Sequence, residues 1–311
     1  MAVILLMLAR IAENIYWLGR YIERVDDTLR LLEVQEETAS EADARPWSDV
    51  FQVSGVDHQG KRRGDVIEVL VRGDGSHSLR TCVRMARENA RVVRDRLTLE
   101  VWTAINGFYL GLERRAPRAD LGTPDILYDW IRERCDLIWG TIDNTLVRDE
   151  GWAWLSVGRQ IERTNMAART LLVMMGGLIE PDERTMHNWL TLLRFVSGSH
   201  AFRRVSSGTP RATDIIAFVM RSPVFPRSLA YSVKEAHAAL KAAGHQETRA
   251  ARRLMRLHAE LDFLNPSQVT ARPDTLLKQL LRGLDAVHSD LQEEIFGLEP
   301  VLMSREYNSA L

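Results

Sequence analysis

The sequence lacks the short motifs that identify many enzymes and metal sites. Its two cysteines, Cys82 and Cys135, are too far apart in 311 residues to form a zinc-binding pair. It contains no G-x-x-x-x-G-K-[ST] phosphate loop, no G-x-G-x-x-G dinucleotide fingerprint and no G-x-S-x-G serine elbow. The paired Glu-x-x-His sets of di-iron bundles are also missing. We therefore predict neither a metal site nor a cofactor.

The sequence also lacks a marked charge of either sign and a long apolar run. Its 41 basic and 42 acidic residues leave a net charge of −1, which argues against a general binder of nucleic acid or of anionic membranes. The apolar start, MAVILLMLA, is too short to span a bilayer. We interpret it as an extension of the first helix, with Met7 as an alternative start. The small number of cysteines suggests a reducing compartment, and we predict a cytoplasmic location.

What the sequence does contain is a long amphipathic segment that occurs twice. Residues 8–34 carry apolar side chains at alternating spacings of three and four, which predicts one long helix with a buried seam. A second, charged set runs beside this seam. Gly19–Leu32, GRYIERVDDTLRLL, matches Gly158–Leu171, GRQIERTNMAARTL, at an offset of 139. The shared G-R-x-I-E-R pattern is the most specific signal in the chain.

Helical periodicity covers most of the remaining chain, and no segment shows the alternation of a convincing strand ladder. We predict one all-α domain over residues 1–311, a bundle of long antiparallel helices with an internal two-fold repeat. The halves are roughly 1–150 and 151–311. Besides 8–34, the predicted helices are 79–113, 127–146, 152–175, 182–195, 197–204, 211–220, 229–243, 246–264 and 273–297.

The two glycines of the repeated pattern predict where the long helices meet. Glycine inside a helix costs about 0.5–1 kcal/mol relative to alanine, and close packing of two helices would explain Gly19 and Gly158. The charged side chains next to them would then converge. One interpretation is a structural network of ion pairs, and the other is a polar pocket that binds a carboxylate, a phosphate or an amine. The converging candidates are Arg20, Glu23, Arg24, Arg159, Glu162 and Arg163.

A second polar patch lies in the segment ARENARVVRDR. Its candidate ligand-binding residues are Arg87, Glu88, Asn89 and Arg91. A solvated helix face with local ion pairs and a site for a phosphate or acyl carboxylate remain alternatives. Arg227, which follows Pro226, is a further candidate, either as a ligand-binding arm or as a residue that orders a turn.

Four segments in order resemble the bacterial alpha-E family. They are LARIAENIYWLGRYIERVDDTLRLL, RENARVVRDRLTLEVWTAIN, GRQIERTNMAARTLL and FPRSLAYSV. The resemblance extends from about Leu8 to about Phe296 and implies an all-helical domain of uncharacterised function. It also implies a partner, because such domains occur beside or fused to a circularly permuted ATP-grasp protein, and often near a transglutaminase-like peptidase. The family's glutamates would correspond to Glu23 and Glu162.

Three functional hypotheses follow. The chain is a helical partner of an ATP-grasp amide-bond-forming ligase, and its Arg/Glu cluster binds the ligase or an amino-acid or peptide-like substrate. Alternatively, it is an acyl or aminoacyl transfer enzyme with Glu23 or Glu162 as general acid or base. The third possibility is a purely structural assembly module. We expect neither nucleic acid nor membrane among the partners.

Overall fold

The structure, a computed structural model, describes residues 7–39, 46–57, 59, 62–118, 124–175, 183–206, 208–265 and 273–297. All regular elements in these ranges are helical, so the prediction of an all-α fold is confirmed for the described part of the chain. Two predicted features lie outside the described residues. They are the apolar stretch 1–6 and the Gly176-Gly177 helix stop.

Thirteen α-helices occur in the described ranges, and two of them continue into short π-helical segments. In chain order they are α1 Ala9–Thr38, α2 Ser48–Ser54, α3 Arg63–Val66, α4 Leu79–Val92, α5 Leu99–Arg115, α6 Asp125–Thr145, α7 Glu150–Met175, α8 Glu183–Phe195, α9 Ser199–Val205, α10 Ala212–Arg221, α11 Leu229–Ala242, α12 Arg249–Asp262 and α13 Pro273–Leu291. The π-helical segments Ile67–Arg72 and Gln292–Phe296 follow α3 and α13.

The two helices with the repeated pattern, α1 and α7, pack directly against each other along their length. They run in the same direction. Polar contacts from the Met7–Glu150 pair through the Arg24–Glu162 pair all join residues 136 to 143 positions apart, and a nearly constant separation requires parallel helices. The expectation of antiparallel neighbours therefore fails for this central pair. A chain can place two helices in parallel only when intervening segments carry it back to the starting end.

The helices around the central pair return the chain in the opposite direction. Helices α4 and α5 form an antiparallel hairpin, in which Arg80 near the start of α4 contacts Glu113 near the end of α5. Helices α12 and α13 form another, since Arg253 on α12 pairs with Asp290 at the end of α13. Helix α4 packs on α1, and α11 packs on α7. Each central helix is therefore covered by a helix that leads into a hairpin.

The single helix predicted for residues 79–113 is wrong. The α-helix ends at Val92, and a 3-10 turn over Arg94–Arg96 leads to Thr98, whose hydroxyl accepts a hydrogen bond from the Val101 amide at 3.3 Å. Thr98 is thus an N-cap, and Glu100 supplies the acidic first turn that favours a new helix. The break allows the apolar sides of α4 and α5 to face the same core.

Matching caps begin the helices that cover α1 and α7. The predicted N-cap Ser78 accepts from the Thr81 amide at 3.1 Å, and Ser228 accepts from the Tyr231 amide at 3.1 Å. Thr98 has a similar counterpart in Thr248, the N-cap of α12. Both pairs are 150 residues apart. Within the described residues, no helix is both long and apolar enough to cross a membrane.

Candidate functional site

Gly19 and Gly158 lie where α1 and α7 touch, as the sequence predicts. A methyl group on Gly19 would overlap the carbonyl oxygen of Leu155, and one on Gly158 would overlap the carbonyl oxygen of Tyr16. Tyr16 and Leu155 are themselves 139 residues apart, so the two contacts have the same register. The absence of a side chain at these positions allows the backbones to approach closely, which brings the charged groups of the repeated pattern together.

The two glutamates of the pattern each accept hydrogen bonds from arginines of the opposite helix. Glu162 accepts from Arg20 Nε at 2.7 Å and from Arg24 Nη2 at 3.1 Å. The same arrangement occurs 139 residues apart, where Glu23 accepts from Arg163 Nε at 2.6 Å and from Arg159 Nε at 3.3 Å. Each helix thus contributes one carboxylate and two guanidinium groups.

Both glutamates are completely shielded from solvent. Burial raises the pKa of Glu162, but the charges and hydrogen bonds of Arg20 and Arg24 outweigh it and bring the pKa to about 2. For Glu23 the burial effect is likewise outweighed by Arg163, Arg227 and Arg159, so its pKa is also lowered. A carboxylate that stays ionised and that solvent cannot reach is a poor proton donor. This geometry argues against the acid/base hypothesis.

Arg227 joins the cluster beside Glu23. Its guanidinium bridges Asp26 and Asp27 of α1 and lies 3.7 Å from a Glu23 oxygen. Asp26 also pairs with Arg30 at 3.0 Å. Glu23, Asp26 and Asp27 are close enough together to hold a metal ion, but the Arg227 guanidinium already supplies the positive charge among them. Arg227 is therefore a ligand of the acidic side chains of α1 rather than a free arm.

The environment of Asp27 differs from that of its neighbours. Its second carboxylate oxygen has no hydrogen-bond partner among the described residues. Burial raises the pKa of Asp27 to about 7, against the attraction of Arg227 and with the repulsion of Glu23 and Asp26. The side chain borders a cavity of about 20 Å³ together with Arg163 and Arg227. A cavity of this size has room for about one water molecule.

The surroundings of Glu162 are chemically different from those of Glu23. The positions 139 residues after Asp26 and Asp27 hold Asn165 and Met166. The residue before the N-cap, Arg227 in one case, is His77 in the other. Burial and the nearby Arg24 lower the pKa of His77 to about 4, which keeps the ring neutral at neutral pH. The extra negative charges of the cluster are therefore confined to one of its two sides.

A tyrosine connects the cluster to α13. The Tyr16 hydroxyl accepts a hydrogen bond from Arg20 at 3.2 Å and lies 3.1 Å from His288 Nδ1. The Tyr16 and His288 rings are stacked, with centroids 5.8 Å apart. Burial and the charge of Arg20 lower the pKa of His288 to about 3, so the imidazole is neutral. The sequence gave no signal for this contact, because the two residues are 272 positions apart.

The second predicted patch does not join the cluster. Arg87 donates to Asn106 Oδ1 at 3.2 Å and lies over the Tyr109 ring, 5.2 Å from its centroid. Arg91 is exposed and pairs with Glu88 at 2.9 Å. The prediction therefore separates into one buried group and one group on α4 where it packs against α5. Arg87, Glu88, Asn89 and Arg91 belong to the latter.

Arg159 is the arginine through which the buried cluster reaches a cavity. Its side chain is 24% exposed, whereas those of Arg20, Arg24 and Arg163 are 8% exposed or less. The guanidinium lies over the Trp139 ring, 3.8 Å from its centroid. It borders a cavity of about 180 Å³ between α6, α7 and α11. The polar and aromatic residues that line this cavity are Trp139, Asp143, Trp152, Arg159, Gln160 and Glu235.

Sequence reasoning missed several members of these sites. Asp26 and Arg30 lie within the repeated segment, and their i,i+4 spacing was an available signal. The tryptophans were expected to be core residues, which holds for the fully buried Trp154. Trp139 and Trp152 instead form part of a cavity wall. Their role depends on α11, which no local pattern connects to them.

Comparisons with known proteins give three relatives among curated sequences. "Uncharacterized protein Mb2597" of Mycobacterium bovis and "Uncharacterized protein MT2643" of Mycobacterium tuberculosis are each 23% identical over 315 residues. "Uncharacterized protein Rv2567" of Mycobacterium tuberculosis is 22% identical over 315 residues. Each alignment covers 92% of this chain and 33% of the relative. The chain therefore spans about a third of the length of these relatives. No solved structure matches.

A family model matches residues 7–296. The family is described as a predicted alpha-helical domain with a conserved ER motif. Glu23-Arg24 and Glu162-Arg163 fit this description and lie in the buried cluster, although other Glu-Arg dipeptides occur in the sequence. With nearly the whole chain matched, the protein belongs to the Alpha-E family.

Proposed function

We propose that this chain is a non-catalytic helical module that presents a small amino-acid or peptide-like substrate to an ATP-grasp amide-bond-forming ligase. The observation that carries the proposal is the contrast within the Arg/Glu cluster. Glu23 and Glu162 are sealed and ionised, which suits a structural role. Arg159 extends from the same cluster to a cavity of about 180 Å³, which suits binding of a small molecule.

The cluster itself serves to fix the two central helices. Breaking a buried ion pair by removing one partner costs about 3–5 kcal/mol, so four guanidinium groups around two carboxylates hold α1 and α7 in one register. The reciprocal contacts at an offset of 139 support an internal two-fold repeat with halves of roughly 1–150 and 151–311. In this proposal the repeat forms the scaffold, and the differences between its halves form the binding site.

The proposed partner is a circularly permuted ATP-grasp protein, in the cytoplasm. The resemblance of the repeated segments to alpha-E sequences suggests this partner. Relatives about three times as long as the matched region are compatible with a domain that works beside other domains. Fusion of two domains raises their effective concentration and favours joint action. A transglutaminase-like peptidase is a possible further member of the assembly.

The test is reconstitution with the ATP-grasp protein encoded beside this chain. We expect the two proteins to co-elute in size-exclusion chromatography, and the chain to increase amino-acid-dependent ADP release by the ligase. Glu235→Gln, in the cavity wall, should reduce the increase while co-elution persists. Glu88→Gln, on the surface patch of α4, is the matched control and should leave both unchanged.

Two results would separate the alternatives. Co-elution without any effect of cavity variants on ADP release would favour a purely structural module, which the dry ion-pair cluster would also suit. No co-elution and no change in ADP release would contradict the proposed partnership.

A further inference from the structure

The cavity beside Arg159 contains hydrogen-bonding groups that specify a ligand more narrowly than its size does. The Trp139 Nε1 donor and the Gln160 Oε1 acceptor are both buried, and neither has a partner among the described residues. A buried polar group without a partner costs about 1–3 kcal/mol. The wall thus contains one donor and one acceptor, and a peptide group offers the complementary acceptor and donor.

The charges around the cavity favour a cation. Arg159 borders it, but its charge is offset by Glu23 at 3.3 Å. Asp143 lies 3.6 Å from Arg148, a pair exposed to solvent. Glu235 also lines the cavity and has no ion-pair partner among the described residues. Glu235 is therefore the carboxylate available to a positively charged group.

The volume limits the ligand to a small one. A cavity of about 180 Å³ lies below the roughly 300–1,000 Å³ of sites for drug-sized ligands. Trp152 and Ala239 add an apolar part to the wall. The cavity thus suits an amino-acid-sized ligand with a short side chain.

We infer that this cavity binds a small cationic amide, namely an aminoacyl amide or the amino-terminal end of a short peptide. The amide carbonyl accepts from Trp139 Nε1, the amide N–H donates to Gln160 Oε1, and the ammonium group lies toward Glu235. This inference rests on the proposed function, because it names the substrate class of the same site. Binding energy from unsatisfied wall groups gives selectivity, since an analogue that lacks the amide leaves them unpaired.

The experiment is a titration of the isolated full chain, followed by calorimetry and by the indole N–H resonances. The signal that Trp139→Phe removes identifies Trp139. We expect alaninamide to shift this signal with saturation. N-acetylalaninamide lacks the cation and propylamine lacks the amide, and both should bind at least tenfold more weakly. Glu235→Gln and Trp139→Phe should each weaken alaninamide binding at least tenfold, whereas Glu88→Gln should not.

Absence of saturable alaninamide binding at millimolar concentration would overturn the inference, as would equal affinity for alaninamide and propylamine. Unchanged alaninamide affinity in both cavity variants would do the same. The ligase is absent from this titration. A failure here therefore refutes the ligand assignment alone, whereas failure of co-elution refutes the partnership.

Discussion

At the scale of single residues, the buried carboxylates determine whether the central helices stay together. Glu162 is completely buried and compensates the charges of Arg20 and Arg24. Replacing it with glutamine keeps the shape of the side chain but leaves two buried guanidinium groups without their counter-charge. The cost arises mainly from those groups, because they are desolvated and cannot move into water.

We expect Glu162→Gln to lower the free energy of unfolding by about 3–5 kcal/mol, measured from urea unfolding followed by circular dichroism. Glu88→Gln, which removes a partly exposed carboxylate on α4, should change it by about 0.5 kcal/mol or less. Similar unfolding midpoints for the two variants would contradict a structural role of the buried cluster. If Glu162→Gln does not fold, Arg24→Gln provides the milder test from the other side of the pair.

At the scale of elements, the contact of α1 with α7 depends on two positions without side chains. Alanine at Gly19 or Gly158 would place a methyl group inside the van der Waals radius of a backbone carbonyl. A carbonyl in a helix cannot rotate away, so the helices must separate. Separation lengthens the hydrogen bonds of both buried glutamates.

We expect Gly19→Ala and Gly158→Ala each to destabilise the protein by about 1–3 kcal/mol or more. Gly107→Ala in α5 is the control, since nothing lies within 4 Å of a methyl group there. It should stabilise the protein by about 0.5–1 kcal/mol through helix propensity. The measurement is again urea unfolding, and a stabilising effect of Gly19→Ala would show that the helices are not in close contact.

At the scale of the whole molecule, stability depends on buried groups that lie far apart in the sequence. The pKa values of His77 and His288 are lowered to about 4 and about 3. Below pH 6.5 the unfolded chain therefore binds protons that the folded chain does not, and stability falls as the pH falls. Asp27, with its pKa raised to about 7, acts in the opposite sense between about pH 4 and pH 7. Two histidines against one carboxylate leave a net loss of stability in acid.

We expect the free energy of unfolding to fall by about 1.4 kcal/mol per pH unit between pH 6 and pH 4.5, the equivalent of one net proton. Below pH 4 the loss should steepen, because Glu162 and Asp26, with pKa values of about 2, then become protonated in the unfolded chain first.

The contribution of one histidine can be isolated by substitution. His288→Gln should make the slope of stability against pH between 6 and 4.5 nearly flat, since one histidine then opposes Asp27. The exposed His200→Gln is the control and should keep the wild-type slope. Unfolding midpoints at four pH values measure both, and identical slopes in the two variants would refute the assignment to His288.

The sequence by itself determined the helical class and the meeting of the two G-R-x-I-E-R segments. Helical periodicity is a local property, and a repeated glycine beside repeated charges indicates close helix packing without knowledge of the rest of the chain. Only the tertiary structure decided that α1 and α7 run in parallel, and that the two sides of their cluster differ. Arg227 and His77 reach the cluster from turns far away in the sequence. Burial, pKa and cavity shape depend on such non-local neighbours, since the free energy of a charge is set by what surrounds it in space.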